Sequence, residues 1–491
     1  MIRARASLAL LLLAMPLAGC VVGPNYKRPD TPASAAGPLG EAGKAPALAS
    51  QDAVPDHWWQ LYDDPAINRL VGEALAHNTD IRVAAANLAR ARATLSEQKG
   101  ARLPTTGESA QYARSRTSAD QSPTRTAFVT DYFSLGFDMS YEVDLFGGVT
   151  RAVQAARGDA QASAATLDAA RVSVAAETTR DYVTACSNAA QLSVARETVA
   201  LQQQTLDLTR TLYNAGRGTK ADVERADVLL AQTQAQVPGF EAERRAALYA
   251  LATMTGRPPT DIDADADRCT VAPLVRQTIP TGDGAALLAR RPDVRAAERS
   301  LAADTARIGV AVADLYPTVT LAGSIGVGAA RGSTLFNKSA VNYSFGPLIS
   351  WTLPNFTVAR ARIREARAGA DASLARFDGT VLTALRETEQ ALARYAAALD
   401  RNSALVRAEA SSSEAARLSR LRFDNGKDSF LNLIQAEQDR ASARAARAAS
   451  DAAVADAQVS LFKALGGGWQ DAPPPLRRSE ASAEPAPAAK P

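Results

Sequence analysis

Side chains that could do chemistry are few in this chain. Two histidines, His57 and His77, and three cysteines, Cys20, Cys186 and Cys269, are all the imidazoles and thiols in 491 residues. A structural zinc site needs closely spaced Cys or His, and a metalloprotease helix needs His-Glu-x-x-His; neither can be built here. No Gly-x-Ser-x-Gly nucleophile turn occurs. Asn214-Ala215-Gly216-Arg217-Gly218-Thr219 lacks the spacing and the preceding strand of a phosphate loop. His57, beside Trp58-Trp59, reads as a packed or solvated side chain. The expectation is a protein that is not an enzyme and carries no metal or dissociable cofactor.

Cys20 is the exception. Arg3 and Arg5 precede an apolar run centred on Leu8 to Leu13, which ends in Leu17-Ala18-Gly19-Cys20. A charged start, a short apolar core and small closing residues describe a secretory signal, and the run is too short to cross a bilayer. Leu-Ala-Gly-Cys resembles the bacterial lipobox, which implies cleavage before Cys20 and a covalent lipid on it (N-acyl and S-diacylglycerol). Val21, in place of Asp, favours sorting to the outer membrane. Cys186, in a helix-like stretch, and Cys269, in a loop, could pair in an oxidising periplasm, but buried or free thiols are the favoured reading for two such distant cysteines.

The elements that hold these residues follow from composition and pattern. Hydrophobic residues make up 46% of the chain, enough for a sizeable core, while only 5% are aromatic, so long helices packed through small side chains are favoured. Net charge is +3, falling to +1 once Arg3 and Arg5 leave with the leader. With no basic block, nucleic acid is excluded as the principal partner. No apolar run of about twenty residues follows the leader, so no transmembrane helix is expected.

The chain repeats itself. Asp80-Ile81-Arg82 matches Asp293-Val294-Arg295 at an offset of 213, which also carries Leu88 to Leu301 and Pro104 to Pro317. Further on the offset is 210: Ala156-Arg157 matches Ala366-Arg367, and Tyr213 and Gly216 match Phe423 and Gly426. In each unit helical patterning ends at a proline (Pro104, Pro317) and strand alternation takes over. Val129, Phe133, Leu135, Phe137, Met139, Tyr141 and Val143 share one face, with Asp131 the exception on it. Val319, Leu321, Ile325 and Val327, then Tyr343, Phe345, Ile349 and Trp351, do the same in the second unit. A fourth strand, near Thr105 to Arg116, has a weak polar pattern. This period suits membrane strands, one face to lipid and one to water; a soluble half-buried sheet fits the strands alone equally well.

Each strand pair is followed by a long proline-free stretch, about Val149 to Tyr213 and Thr357 to Phe423. Val153, Ala156, Ala160, Ser163, Leu167, Ala170 and Val174 form a heptad seam, matched by Ile363, Ala366, Ala370, Ser373, Phe377, Thr380 and Ala384. Both stretches end at a left-handed stop, Asn214-Ala215-Gly216 and Asn425-Gly426. Thr219 and Asp222 then read as a capping box, with Ser429 at the equivalent N-cap. These are tight helical hairpin tips.

The order lipobox, helix, strand pair, long helix, capped tip and helix, given twice, resembles the TolC/OprM outer-membrane factors, of which the NodT-type lipoproteins are one branch. Trp58-Trp59-Gln60-Leu61-Tyr62-Asp63-Asp64-Pro65, Ser140-Tyr141-Glu142-Val143-Asp144-Leu145-Phe146-Gly147 and Leu461-Phe462-Lys463-Ala464-Leu465-Gly466-Gly467-Gly468-Trp469 resemble its signatures. The expected organisation is a lipoprotein signal peptide over 1–19, a lipid-anchored tether over 20–65, efflux repeats over 66–256 and 279–466 joined by a linker over 257–278, and a disordered tail over 467–491. The fold class is α+β: a long α-helical periplasmic barrel and four β-strands per chain. Four strands cannot close a barrel, and an open edge in lipid leaves backbone groups unsatisfied, so several copies must share one. The resemblance implies three copies and twelve strands, where eight or sixteen would also close. It further implies a passive conduit for small molecules such as drugs, served by a periplasmic adaptor and an inner-membrane pump of the resistance–nodulation–division type. The tip residues Arg217, Thr219, Lys220, Asp222, Lys427, Asp428 and Ser429 are the expected adaptor-docking end. Alignment through Gly426 puts the pore gate at Leu431, Asn432 and Gln435, where the last two are amides in place of the family's carboxylates; Glu437 could restore charge if the helix phase differs. Asp222 and Asp428, both acidic, put the family's tip bridge in doubt. The competing class is a periplasmic lipoprotein, an enzyme or a coiled-coil scaffold that never enters the membrane.

Overall fold

The computed structural model describes residues 21–30, 33–44, 49–50, 52–352, 356–470 and 472–473. Cys20, the leader and most of the segment read as a tail lie outside them. The main elements run α1 (Pro65–His77), α2 (Thr79–Gly100), β1 (Thr105–Thr117), β2 (Phe128–Val143), α3 (Gly148–Asn214), α4 (Lys220–Gln234) and α5 (Val237–Met254). The second repeat follows with α6 (Gly284–Arg290), α7 (Pro292–Ala313), β3 (Thr318–Ala329), β4 (Val341–Ser350), α8 (Phe356–Asp424) and α9 (Phe430–Leu465).

The chain divides into two compact units. The first holds 21–29, Leu88–Ser163 and Ala296–Asp378, and with them the whole four-stranded sheet. Its strands are antiparallel in the order β1-β2-β3-β4, so β1 and β4 are open edges. Pro347 sits on β4, where an edge tolerates a residue without an N–H.

The second unit gathers Asp30–Asn87, Ala164–Arg295 and the described residues from Gly379 on. Its aromatic centre joins the two ends of the sequence. Trp58 is fully buried and stacks on Phe462 at 4.8 Å, while Asp64 caps α1 by accepting from Ala66 N–H. Trp469 donates its indole N–H to the Arg290 carbonyl, and the Arg295 guanidinium lies 4.4 Å over its ring. The two Trp-containing signatures are thus one packing site. His57 lies 5.2 Å from the Trp59 ring, a packed side chain.

α3 and α8 are continuous over 67 and 69 residues, a contour of about 100 Å each at 1.5 Å per residue. The seam of small residues is buried as expected at Val153, Ala156, Ala160, Leu167 and Val174, and at Ile363, Ala370, Ser373, Phe377 and Ala384. Four buried threonines on α3 answer their own polar cost: the Thr179, Thr198, Thr205 and Thr209 hydroxyls each donate to the carbonyl four residues back. The return helices differ. α9 runs unbroken for 36 residues, whereas the first return is divided into α4 and α5 next to Pro238, which cannot donate a helical hydrogen bond.

One expectation is corrected. Cys186 and Cys269 are not free thiols; they form a disulfide with Cα atoms 5.1 Å apart. The linker after α5 returns to lie against α3, so residues 83 apart in sequence become neighbours.

Candidate functional site: membrane sheet, N-terminal strap and helical tips

Cross-strand register sorts the sheet into two faces. Phe137 pairs with Glu108 and Ile325, and Ile325 with Tyr343; Leu135 pairs with Val327, and Val327 with Val341. One face is therefore apolar across β2, β3 and β4, and its large side chains stand in the open: Phe137, Ile325, Tyr343 and Phe345 are all exposed. Such a face is unfavourable in water unless something apolar covers it. The other face carries Ser134, Asp138, Ser140, Ser324 and Ser344. β1 reads weakly because it is an edge strand with Glu108, Arg114 and Arg116 on the apolar face. Asp131 is explained by its neighbours: the Tyr112 hydroxyl donates to its carboxylate at 3.1 Å and Arg114 lies 3.7 Å away.

Aromatic residues flank this face at both ends. Tyr316, Trp351 and Phe356 are exposed at the end that joins the helices, where Phe146 stacks on Tyr316 at 4.4 Å. Tyr112 and Phe336 are exposed toward the hairpins. From Phe133 to Val143 the strand rises about 33 Å at 3.3 Å per residue, which a tilt of about 40° reduces to about 25 Å, the height of an outer-membrane apolar band. Among the described residues no helix is long and apolar enough to cross a membrane.

Both tips close with the same backbone device. At the first, Gly216 (φ 70°) donates to the Tyr213 carbonyl and Arg217 N–H to that of Leu212. At the second, Gly426 (φ 66°) donates to Phe423 and Lys427 N–H to Arg422. These are Schellman closures, in which a left-handed glycine lets two orphan carbonyls be satisfied. The Thr219 and Asp222 capping box is complete, and the Thr219 hydroxyl with its own N–H holds the Asp222 carboxyl below the ordinary range. Ser429 accepts from Asn432 N–H at 3.2 Å. Asp428 accepts from the Asn432 side-chain amide at 2.7 Å and lies 3.4 Å from Arg422; the amide and then Ser429 N–H hold its carboxyl down. Each tip acid is thus satisfied within its own turn. Arg217, Lys220 and Lys427 are exposed.

Along α9 the phase is definite. Leu431, Asn432 and Gln435 are exposed on one face, and Leu433, Ile434 and Glu437 are buried on the other. Glu437 therefore does not return charge to the Leu431 face. It lies 3.3 Å from Arg420 and 2.7 Å from Arg440. The exposed face is not free of carboxylates: Gln435 donates to Asp439 at 3.0 Å, one turn on. Ile434 packs with Leu206, Ala226 and Leu230, joining the second hairpin to the first.

A model of the outer membrane efflux protein family matches residues 70–257 and 285–467. The chain belongs to that family. It is 32% identical over 468 residues to the outer membrane protein OprJ of Pseudomonas aeruginosa, covering 94% of this chain and 95% of that protein. The toluene efflux pump outer membrane protein TtgF of Pseudomonas putida is 30% identical over 469 residues, 94% and 96% of the two chains. Among solved structures, the outer-membrane channel OprN superposes with a TM-score of 0.87 at 36% identity, over 92% of this chain and all of that one. The protein is accordingly an outer-membrane efflux component, a helical chain with a four-stranded sheet, as the sequence signatures implied.

Within this family fold, the segment that follows Cys20 has a built seat that sequence reading missed. Arg151 is buried, and its guanidinium donates to the Val22 and Gly23 carbonyls at 3.0 Å each and to Asn25 Oδ1 at 2.9 Å. Val22 N–H donates to the Phe146 carbonyl. The backbones come so close that a Cβ on Gly23 would stand 2.5 Å from Gly309 Cα. Gly147, held at φ 78°, leaves room for Val21 in the same way. Only the signature Leu145-Phe146-Gly147 hinted at this seat. Cys20 itself lies outside the described residues, and the described residues hold no cluster of metal-ligating side chains.

Proposed function

We propose that three copies of this chain form the outer-membrane duct of a tripartite efflux pump. The observation that carries the reading is the open sheet. Its apolar face is flanked by aromatic residues at both ends, and the outer edges of β1 and β4 pair with nothing among the described residues. In lipid an unpaired edge leaves each backbone group several kcal/mol short, so neighbouring copies must supply the missing ladders, and three copies give a twelve-stranded barrel. The helical repeats of the three copies enclose the periplasmic part of the lumen. Transport through one lumen is passive, and the driving energy comes from an inner-membrane transporter of the resistance–nodulation–division type through a periplasmic adaptor. The adaptor meets the two tips at Arg217, Thr219, Asp222, Lys427, Asp428 and Ser429. Leu431 with the amides Asn432 and Gln435 narrows the entrance, and small drug-like molecules are the cargo. Cys20 carries the N-acyl and S-diacylglycerol anchor, supported by the strap seat directly after it.

The deciding experiment is purification from outer membranes followed by planar-bilayer recording. Heat-resistant trimers with discrete single-channel conductance are expected. Monomers that never conduct would leave a periplasmic coiled-coil lipoprotein as the reading. In the same bilayers, reversal potentials in a salt gradient should show weak cation preference that Gln435→Asp strengthens, since a ring of carboxylates favours cations.

A further inference from the structure

The register of the sheet collects basic side chains at its hairpin end, on the apolar side. Arg116 lies opposite Val129 and Arg114 opposite Asp131, both on the face that carries Phe133, Leu135 and Phe137. The ladder between β2 and β3 ends at Phe133 and Ala329. Arg331 follows Ala329 by two residues and is exposed at the start of the β3–β4 connection. Arg125 and Lys338 lie in the two hairpin connections. Asp131 is occupied by Tyr112 and Arg114. Among the described residues no carboxylate pairs with Arg116, Arg125, Arg331 or Lys338.

The opposite end of the sheet has the reverse character. Glu142, Asp144 and Asp314 stand there; Asp144 accepts from Val149 and Thr150 N–H at the start of α3, and Asp314 lies 3.6 Å from Arg362. At the hairpin end Arg114, Arg116, Arg125, Arg331 and Lys338 thus outnumber the carboxylates Asp120 and Asp131. Tyr112, on the same face, stands exposed beside Arg114, at the level where an apolar band gives way to headgroups.

We propose that Arg114, Arg116 and Arg331 bind the phosphate groups of a membrane-lipid headgroup in the outer leaflet. A guanidinium pairs with phosphate through two parallel hydrogen bonds; Arg116 and Arg331 have no carboxylate partner among the described residues, and Arg114 stands 3.7 Å from Asp131, whose carboxylate also takes the Tyr112 hydroxyl. The ligand is a lipid and not free phosphate because the three side chains border the surface that meets acyl chains. This rests on the reading that the sheet is part of a membrane barrel with its hairpins outward.

The test incubates the purified oligomer in detergent with diphosphoryl lipid A, its dephosphorylated form, or phosphatidylethanolamine, and counts retained lipid by native mass spectrometry. Conductance is recorded in parallel. Wild type is expected to retain the diphosphorylated lipid about tenfold better than the other two. Arg114→Ser/Arg116→Ser/Arg331→Ser should bring retention down to that of the dephosphorylated form with conductance unchanged. If that variant fails to insert, Arg116→Ser alone, on an exposed edge strand, should lower retention about threefold. Equal retention of phosphorylated and dephosphorylated lipid, or retention unaffected by substitution, overturns the site. Displacement by millimolar inorganic phosphate overturns the assignment to a lipid. Absence of conductance in the wild type instead overturns the channel reading.

Discussion

Arg210 and Asp227 lie 3.6 Å apart on the first helical arm, with both side chains about half exposed. At the repeat offset of 210 residues, Arg420 and Glu437 lie 3.3 Å apart on the second arm, with the carboxylate only 3% exposed. Arg440 joins the second pair, where the first arm has the buried apolar Leu230. Conversely, the first arm carries the disulfide at Cys186, and the second has Ala396 at that place. One ancestral hairpin has therefore been stabilised in two ways. The first arm is stapled covalently and its return helix is divided at Pro238; the second is a continuous helix with one buried carboxylate between two half-buried guanidiniums. A covalent clamp restricts the unfolded chain and does not respond to local rearrangement, whereas an ion pair around a buried carboxylate holds only while its geometry is intact. The difference assigns rigidity to the first arm and conditional stability to the second.

Four measurements separate the two arms. Removing the staple with Cys186→Ser/Cys269→Ser should have the largest effect. Closing a loop between residues 83 apart corresponds to about 4.5 kcal/mol of chain entropy. Denaturant midpoints should fall, and limited proteolysis should open the first arm while the second keeps its resistance. Equal loosening of both arms would refute the separate roles.

Next comes Glu437→Gln, which removes the buried charge from between the half-buried Arg420 and Arg440 and should destabilise by about 2 kcal/mol. Its counterpart Asp227→Asn, at an exposed pair, should change stability by less than about 0.5 kcal/mol. Comparable losses from the two would remove the distinction.

The third is a pH profile. Burial first, and then the neighbouring Glu177 charge, push the Asp181 carboxyl on α3 up to about 7. The folded chain thus keeps a proton that the unfolded chain releases near pH 4. That contribution is complete below about pH 4 and is lost as pH rises through about 7. The second arm has Ala391 at this place and no such group. Asp181→Asn should therefore gain on the order of 2 kcal/mol at pH 8 and almost nothing at pH 4. A gain of the same size at both pH values would contradict it.

The smallest effect is at the caps. Thr219→Ala loses a complete capping box and should lower the stability of the first tip by about 1 kcal/mol. Ser429→Ala should cost about half as much, because Asn432 turns its side chain to Asp428 instead of closing the box. Hydrogen exchange at the first turns of α4 and α9 would rank them.

Much of this was legible in the linear chain because it depends on neighbours in sequence. Alternation placed alternate residues from Phe133 to Val143 on one face, the proline-free stretches located both long helices to within a few residues, and Gly216 and Gly426 marked the two stops. Each of these is a period or a turn, decided within a few residues of itself. Leu431, Asn432 and Gln435 were placed by the family resemblance through Gly426, not by period; in the structure they share the exposed side of α9. Other features belong to residues that only folding brings together. The Cys186–Cys269 bond needed the path of the linker, and the Arg151 seat needed a strap more than a hundred residues upstream. The burial of Glu437 depended on which side of α9 faces its neighbours, and the answer to Asp131 came from β1, the strand whose pattern was weakest. Local periodicity is written along the chain, while pairing across loop closures is settled by packing, which no spacing in the sequence records.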